Sequence, residues 1–347
     1  MPTLPQLLNA ERYSPCDWDL KADDAGRRYW ANLFLENIPT LISAIRQADP
    51  AIDSDRLEDF RARYHEAIRD ISEHPQQYNE INILTFVRAR QRLQHEFGYF
   101  DPYLPRKNRE NEIALALLPE ILRELDQVEP HERPALLARN LLAGNLFDMG
   151  APVAIAHYAN HGADFKRLRD SLPPRPWLAD DLDTWDEHWR HTVSRHVAFF
   201  VDNAGSDILL GCIPLARWMV EQGAHVTLLA NDEPTLNDVT APECEDLVLK
   251  AAKVDSRIAT AWHLGKLSVT GSGNWAPLID LRKLSDTCVK AIADADMIIL
   301  QGMGRAVETN YLAEFSCPVL NVAVLKDEGL ARRLGGKVFD CVFRFRS

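Results

Sequence analysis

From residue 195 onward the chain alternates short, unbroken apolar runs with helix-like stretches, and that alternation restricts its fold more than any other feature. Val197-Ala198-Phe199-Phe200-Val201 places five apolar residues in a row. A strand covered on both faces has this pattern, whereas a strand with one wet face alternates. Leu209 to Gln222 has helical spacing, with Gly223 behind it, and His225 to Ala230 repeats the strand pattern. Residues 243–252 and 283–293 read as helices and Lys266 to Thr270 as extended. Met297 to Leu300 and Val319 to Leu325 are further apolar runs. Val338 to Arg346 alternates Phe343 and Phe345 with Arg344 and Arg346, which predicts a strand near a sheet edge. Strands alternating with helices predict the α/β class, a three-layer α/β/α sandwich on a mostly parallel sheet.

Residues 1–190 read as a helical domain, and 191–347 as the α/β domain. After Asp23-Asp24, a capping pair, Trp30, Phe34, Ile38, Leu41 and Ile45 fall on one helical face. Pro39 inside that run predicts a kink or a split into two helices. Ser54 is the expected cap of a second helix carrying Leu57, Phe60, Tyr64, Ile68 and Ile71. Helical patterns follow over about 83–96, 110–126, 133–147 and 151–161, with Gly162 as a terminal glycine cap. Trp185 and Trp189 mark the last helix before the sheet.

Four of the apolar runs lead into polar loops: Asp202-Asn203-Ala204-Gly205, Asn237-Asp238-Val239-Thr240, Gln301-Gly302-Met303-Gly304-Arg305, and Lys326. In an open parallel sheet such loops meet at the carboxyl ends of the strands, where ligands bind. Asp202, Asn203 and Asp238 offer hard oxygen ligands for magnesium or manganese. Gly302, Met303 and Gly304 let backbone come close to an anion, and Arg305 and Lys326 supply positive charge for a phosphate. Asp207 is one helical turn from Asn203 and suits a proton-transfer role. Each residue also has a plainer reading. Asp202 can cap the next helix, Asp207 can be a first-turn acid, Asp238 can be a turn residue, and Lys326 a solvated strand end. Their joint occurrence at strand ends favours a metal and a phosphate, hence hydrolysis of a small phosphorylated metabolite.

The formal net charge of -12 disfavours nucleic acid and anionic membrane as partners. No run reaches the roughly 18 apolar residues of a membrane-spanning helix, and no signal peptide is recognisable at the start. Six scattered cysteines without a C-x-x-C pair fit reduced thiols and a cytoplasmic location. His157 and His161 have the i, i+4 spacing of zinc ligands but lack the intervening Glu of H-E-x-x-H, so a surface helix end is preferred. His188 and His191 carry no stronger signal. Gly271-Ser272-Gly273-Asn274 reads as a connecting or substrate-facing loop. A nucleophile elbow, a P-loop and G-x-G-x-x-G are all missing.

At these residues the chain resembles the DUF89 damage-control phosphatases, in particular the subgroup with the C-terminal phosphatase domain of animal pantothenate kinase 4 and stand-alone plant proteins. The likeness includes Phe100-Asp101-Pro102-Tyr103, Lys107, Glu110-Asn111, residues 141–148 and Arg175-Pro176-Trp177-Leu178. In the second half it includes residues 202–208, Asn237 to Thr240, Gly302 to Val307, Thr309-Asn310-Tyr311 and Leu334-Gly335-Gly336.

The resemblance implies that Asp202, Asn203 and Asp238 bind a divalent metal (magnesium, manganese, cobalt or nickel) and that residues 301–305 lie at the substrate phosphate. It implies a substrate contact for Lys326 and an acidic neighbour in Asp207. The implied substrates are 4'-phosphopantetheine and its oxidised or damaged forms. The subgroup's signature begins with Glu where this chain has Gln301, which removes a charge and any acid–base role there. The expected attacking group is a water, with Asp202 as the alternative nucleophile; Asp202, Asp207 and Arg305 form the expected catalytic set. A homo-oligomer is allowed. Two rival readings are a carboxyl methyltransferase using S-adenosylmethionine, for which Asp202 to Gly205 makes a poor cofactor turn, and a non-catalytic binder of phosphorylated metabolites.

Overall fold

The computed structural model of the chain describes residues 1–146, 165–192 and 194–347. The helix expected over 151–161, its Gly162 cap, His157 and His161 lie outside these residues. Among the described residues one seven-stranded sheet has the order β1-β7-β6-β5-β2-β3-β4. Its strands are β1 (Ala179–Asp180), β2 (His196–Phe200), β3 (His225–Ala230), β4 (Leu267–Gly271), β5 (Met297–Gln301), β6 (Val319–Val324) and β7 (Cys341–Arg346). All neighbours are parallel except β6 and β7. The fold is the mostly parallel α/β arrangement expected from the sequence, with the two-residue β1 as an addition no apolar run announced.

The unbroken apolar runs are explained by burial on both faces. Val197 and Phe199 point into one core with helices Ile213–Glu221 and Ala241–Ala252, while Ala198 and Phe200 point into the opposite core. Because β2 lies between β5 and β3, the chain winds outward in both directions from the β2–β5 pair. Loops leaving β2, β3 and β5 therefore separate at their carboxyl ends and leave a crevice there.

The amino-terminal helices are α1 (Asp24–Ala48), α2 (Ser54–Glu73), α3 (Ile83–Glu96), α4 (Leu104–Gln127) and α5 (Arg133–Leu146). Helices α1–α3 build a core of their own, joined by Ala276 and Leu278 from the loop after β4. Helices α4 and α5, with the helix Leu182–His191, bury apolar side chains in the sheet's core. Helix α1 runs through Pro39 without splitting. Pro39 is on the exposed face, so its ring displaces solvent, and the buried Phe34, Ile38 and Leu41 hold the turns on either side. The cap of α2 is Asp53, which accepts the Asp55 N–H, one residue before the expected Ser54.

Candidate active site

Two wide helical turns shape the crevice. Asp207–Cys212 follows the β2 loop and Met303–Glu308 follows β5, and each is wound as a single π-type turn. Such turns are uncommon and concentrate at functional sites. They begin where glycines permit unusual backbone: Gly205 has φ +74° and Gly302 φ +96°. At Gly302 a side chain is also excluded by space, since an added Cβ would lie 2.2 Å from the Asp202 carboxylate. The glycine is what lets β5 approach Asp202 so closely.

Asp202, Asn203, Asp207, Asp238, Gln301 and Arg305 form one buried hydrogen-bonded group. The Arg305 guanidinium bonds Asp202 Oδ1 and reaches Asp238 Oδ2 at 2.7 Å. The Asp202 Oδ2 atom accepts from Asn203 Nδ2 at 2.9 Å and from Asn145 Nδ2 at 3.0 Å. Gln301 Oε1 accepts the Asp202 backbone N–H at 2.9 Å, and Gln301 Nε2 donates to Asp207 Oδ1. Asp207 Oδ2 takes the backbone N–H and Nδ2 of Asn203 at 3.2 and 3.0 Å. Backbone bonds between Ala204 and Asn237 and between Val239 and Asp202 tie the β2 and β3 loops together.

Burial, then the Asp202 charge, raises Asp207 to about 7, while Lys326, the Asn203 N–H and Asn145 oppose the rise. The same burial and the Asp207 charge push the Cys212 thiol well above its ordinary value, so Cys212 stays a thiol beneath the group.

A cavity of about 350 Å³ opens on this group. Asp202, Asn203, Asp238, Met303, Gly304 and Lys326 line its polar end, and α1–α3 supply a mainly apolar wall of Trp30, Leu33, Phe34, Tyr64 and Val87 that also carries Glu36, Asn37 and Arg90. Its size and composition suit a small molecule. Met303 Sδ accepts the Lys326 backbone N–H at 3.2 Å, which places the lysine beside the β5 loop.

Two expectations change. Arg305 does not reach into the cavity; its terminal nitrogens are engaged by Asp202, Asp238, Asn231 and the Pro277 carbonyl. The Gly302 N–H is not open to an anion either, because it bonds the Val322 carbonyl at 2.9 Å as part of the sheet. Asn274, in the second glycine-rich loop, is buried and braces Asn231 and the carbonyls of Ala276 and Leu278, so that loop is scaffolding.

Sequence reasoning gave no role to Asn145 or Asn231. Asn145 arrives from α5 and links Asp202, Asp207 and the Val324 N–H. Asn231 follows β3 and holds Asp238 Oδ2 at 3.1 Å. Its position directly after the Ala230 strand end was the only available signal.

The donor set can be tested against a metal by its chemistry. Among the described residues no three His, Cys, Asp or Glu side chains cluster for a metal. The set is two carboxylates and one amide. Asp202 and Asp238 converge closely enough to share one guanidinium, and Asn203, which lines the cavity, directs Nδ2 to the Asp202 and Asp207 carboxylates. Oxygen donors of this kind fit a hard divalent cation.

Residues 35–342 match the model of the damage-control phosphatase ARMT1-like domain. The chain is 33% identical over 319 residues to a damage-control phosphatase of Arabidopsis thaliana, covering 91% of this chain and 87% of that one. It is 29% identical over 394 residues to the 4'-phosphopantetheine phosphatase of Mus musculus, covering 99% of this chain but 48% of the mouse protein. It spans less than half of several curated relatives, the mouse protein included. A DUF89 family protein of Pyrococcus horikoshii shares the fold with a TM-score of 0.65 at 17% identity, over 92% of this chain and 97% of that one. With the model match spanning most of its length, the chain belongs to the ARMT1-like damage-control phosphatase domain family.

Proposed function

We propose that the protein hydrolyses a phosphate monoester of a small metabolite with the help of a divalent metal, and that the substrate is 4'-phosphopantetheine or one of its oxidised or damaged forms. The observation that carries the reading is the convergence of Asp202, Asn203 and Asp238 at the polar end of a cavity whose α1–α3 wall is mainly apolar. Asp202, Asn203 and Asp238 would hold magnesium, manganese, cobalt or nickel, which supplies Lewis acidity toward phosphoryl oxygens and water. Lys326 adds positive charge against the substrate phosphate. Both Asp202 oxygens already accept hydrogen bonds, which favours a water over Asp202 as the attacking group. Asp207, wholly buried and outside the cavity lining, receives Gln301 at Oδ1 and Asn203 at Oδ2 and so would position Asn203 beneath the site. The walls from α1–α3 take the uncharged tail of the substrate and keep water away from it. The name of the mouse relative supports the pantetheine assignment.

The test is phosphate release from 4'-phosphopantetheine, compared with other phosphorylated metabolites, with each of the four metals and with none. Asp202→Ala is expected to abolish metal-dependent release. Undiminished turnover in that variant would remove the proposed metal site.

A further inference from the structure

The cavity contains a buried arginine that, among the described residues, no acid neutralises. Arg90, on α3, is 6% exposed and lines the cavity together with Asp202, Asn203, Asp238 and Lys326. Among the described residues its one hydrogen bond runs from Nη2 to Thr235 Oγ1, at a long 3.3 Å. Its guanidinium carbon lies 5.7 Å from the centre of the Phe34 ring. The Nε atom is fully buried without an acceptor, and Nη1 makes no hydrogen bond among the described residues. Among the described residues no carboxylate pairs with Arg90, although Glu36, Glu308, Asp327 and Glu328 line the same cavity. A buried charged donor left without acceptors is costly, and its persistence needs a reason.

The geometry points to Arg90 as the cation that receives the substrate's phosphoryl oxygens. It rests on the proposed phosphatase reading and takes over the part that sequence reasoning gave to Arg305. Arg305 is engaged by Asp202 and Asp238, whereas Arg90 still has donors to offer. It stands where the Phe34 wall meets the loop after β3 that carries Asp238. Arg90 bonds Thr235, and the Thr235 carbonyl accepts the Asp238 N–H at 3.0 Å, so one short loop connects the guanidinium with a proposed metal ligand. Phe34 fixes one face of the guanidinium and leaves its edges to a ligand. A phosphate, with three strongly accepting oxygens, suits such a group better than a neutral carbonyl does. The charge comes from the layer of helices that forms the apolar wall, so substrate tail and phosphate would be gripped by the same layer.

The experiment is calorimetric titration of inorganic phosphate into the wild-type chain, Arg90→Gln and Arg90→Lys, with and without manganese. KM and kcat for a phosphate monoester are measured in parallel. Arg90→Gln is expected to weaken phosphate binding roughly 10- to 100-fold, the loss of a charge-assisted hydrogen bond. KM should rise by a similar factor while kcat changes less, and manganese affinity should stay the same. Arg90→Lys should fall in between, because an ammonium offers its donors from one point instead of two nitrogens. Wild-type phosphate affinity in folded Arg90→Gln overturns the inference; if that variant does not fold, wild-type affinity in Arg90→Lys does so. A wild-type chain that binds no phosphate overturns it too. A chain that binds phosphate through Arg90 but releases none from any monoester supports the anion site and sinks the phosphatase reading. Full turnover with an unimpaired Arg90→Gln does the reverse.

Discussion

At the scale of single residues, the most constrained position is Gly302. An alanine there would have to adopt φ +96° and place its methyl on the Asp202 carboxylate. Backbone strain of this kind costs roughly 1–3 kcal/mol, and the carboxylate would be displaced as well. Gly302→Ala is expected to lower kcat for phosphate release by about 100-fold, the order of effect of a 1 Å misplacement, with a measurable drop in melting temperature. Near-wild-type kinetics would mean that Asp202 tolerates the displacement. What the sequence disclosed at this scale were residues whose chemistry is conspicuous at a strand end, namely Asp202, Asn203, Asp238 and Lys326. What it concealed were amides and cations brought in from elsewhere. Asn145 sits in the middle of a helical pattern and Arg90 on another helix, where polar side chains usually face water. Only the tertiary packing shows that they are buried. Arg305 was recognisable as important, but its partners were not, because a guanidinium beside glycines fits a phosphate and a carboxylate equally well.

Among the elements, helices α4 and Ala241–Ala252 are joined by Lys107, which is wholly buried. Its ammonium lies 2.8 Å from both Asp101 and Glu243. Glu243 also accepts the Thr240 N–H in a capping box at the start of its helix, two residues after Asp238. Lys107→Met would leave two carboxylates uncompensated, and such one-sided removals cost roughly 3–5 kcal/mol. Urea denaturation should show a loss of that order, and phosphate release should fall as the loop after β3 loosens. A midpoint unchanged from wild type would show that solvent reaches the pair. Elements with strong periodicity were legible: the runs at 197–201, 225–230, 297–300 and 319–325 lie within a residue or so of the observed strands. The two π-type turns were not, since six residues wound one residue per turn wider carry no distinct pattern. Strand β1 is too short for any period, and the split allowed at Pro39 does not occur, with the proline on the exposed face of one continuous helix.

For the whole molecule, the sheet's order brings the loops after β2, β3 and β5 to one place, and a bound cation would fasten β2 to β3. A ligand that binds only the folded state at 100 times its dissociation constant adds about 2.7 kcal/mol. Manganese at that excess is therefore expected to raise the melting temperature of the chelator-treated protein, and Asp238→Ala to abolish the rise. Equal shifts in the two would place the metal elsewhere. The α/β class was evident from the alternation of patterns, whereas the docking of α1–α3 onto the loop after β4 was not, because Ala276 and Leu278 look like ordinary loop residues. That docking has a consequence for how such proteins can diverge. The floor of the cavity is written between residues 202 and 328, and its mainly apolar wall largely between 29 and 90. Substitutions in the early stretch, Arg90 apart, can reshape what fits while the buried group at 202–305 is inherited intact, so related chains could come to serve quite different metabolites.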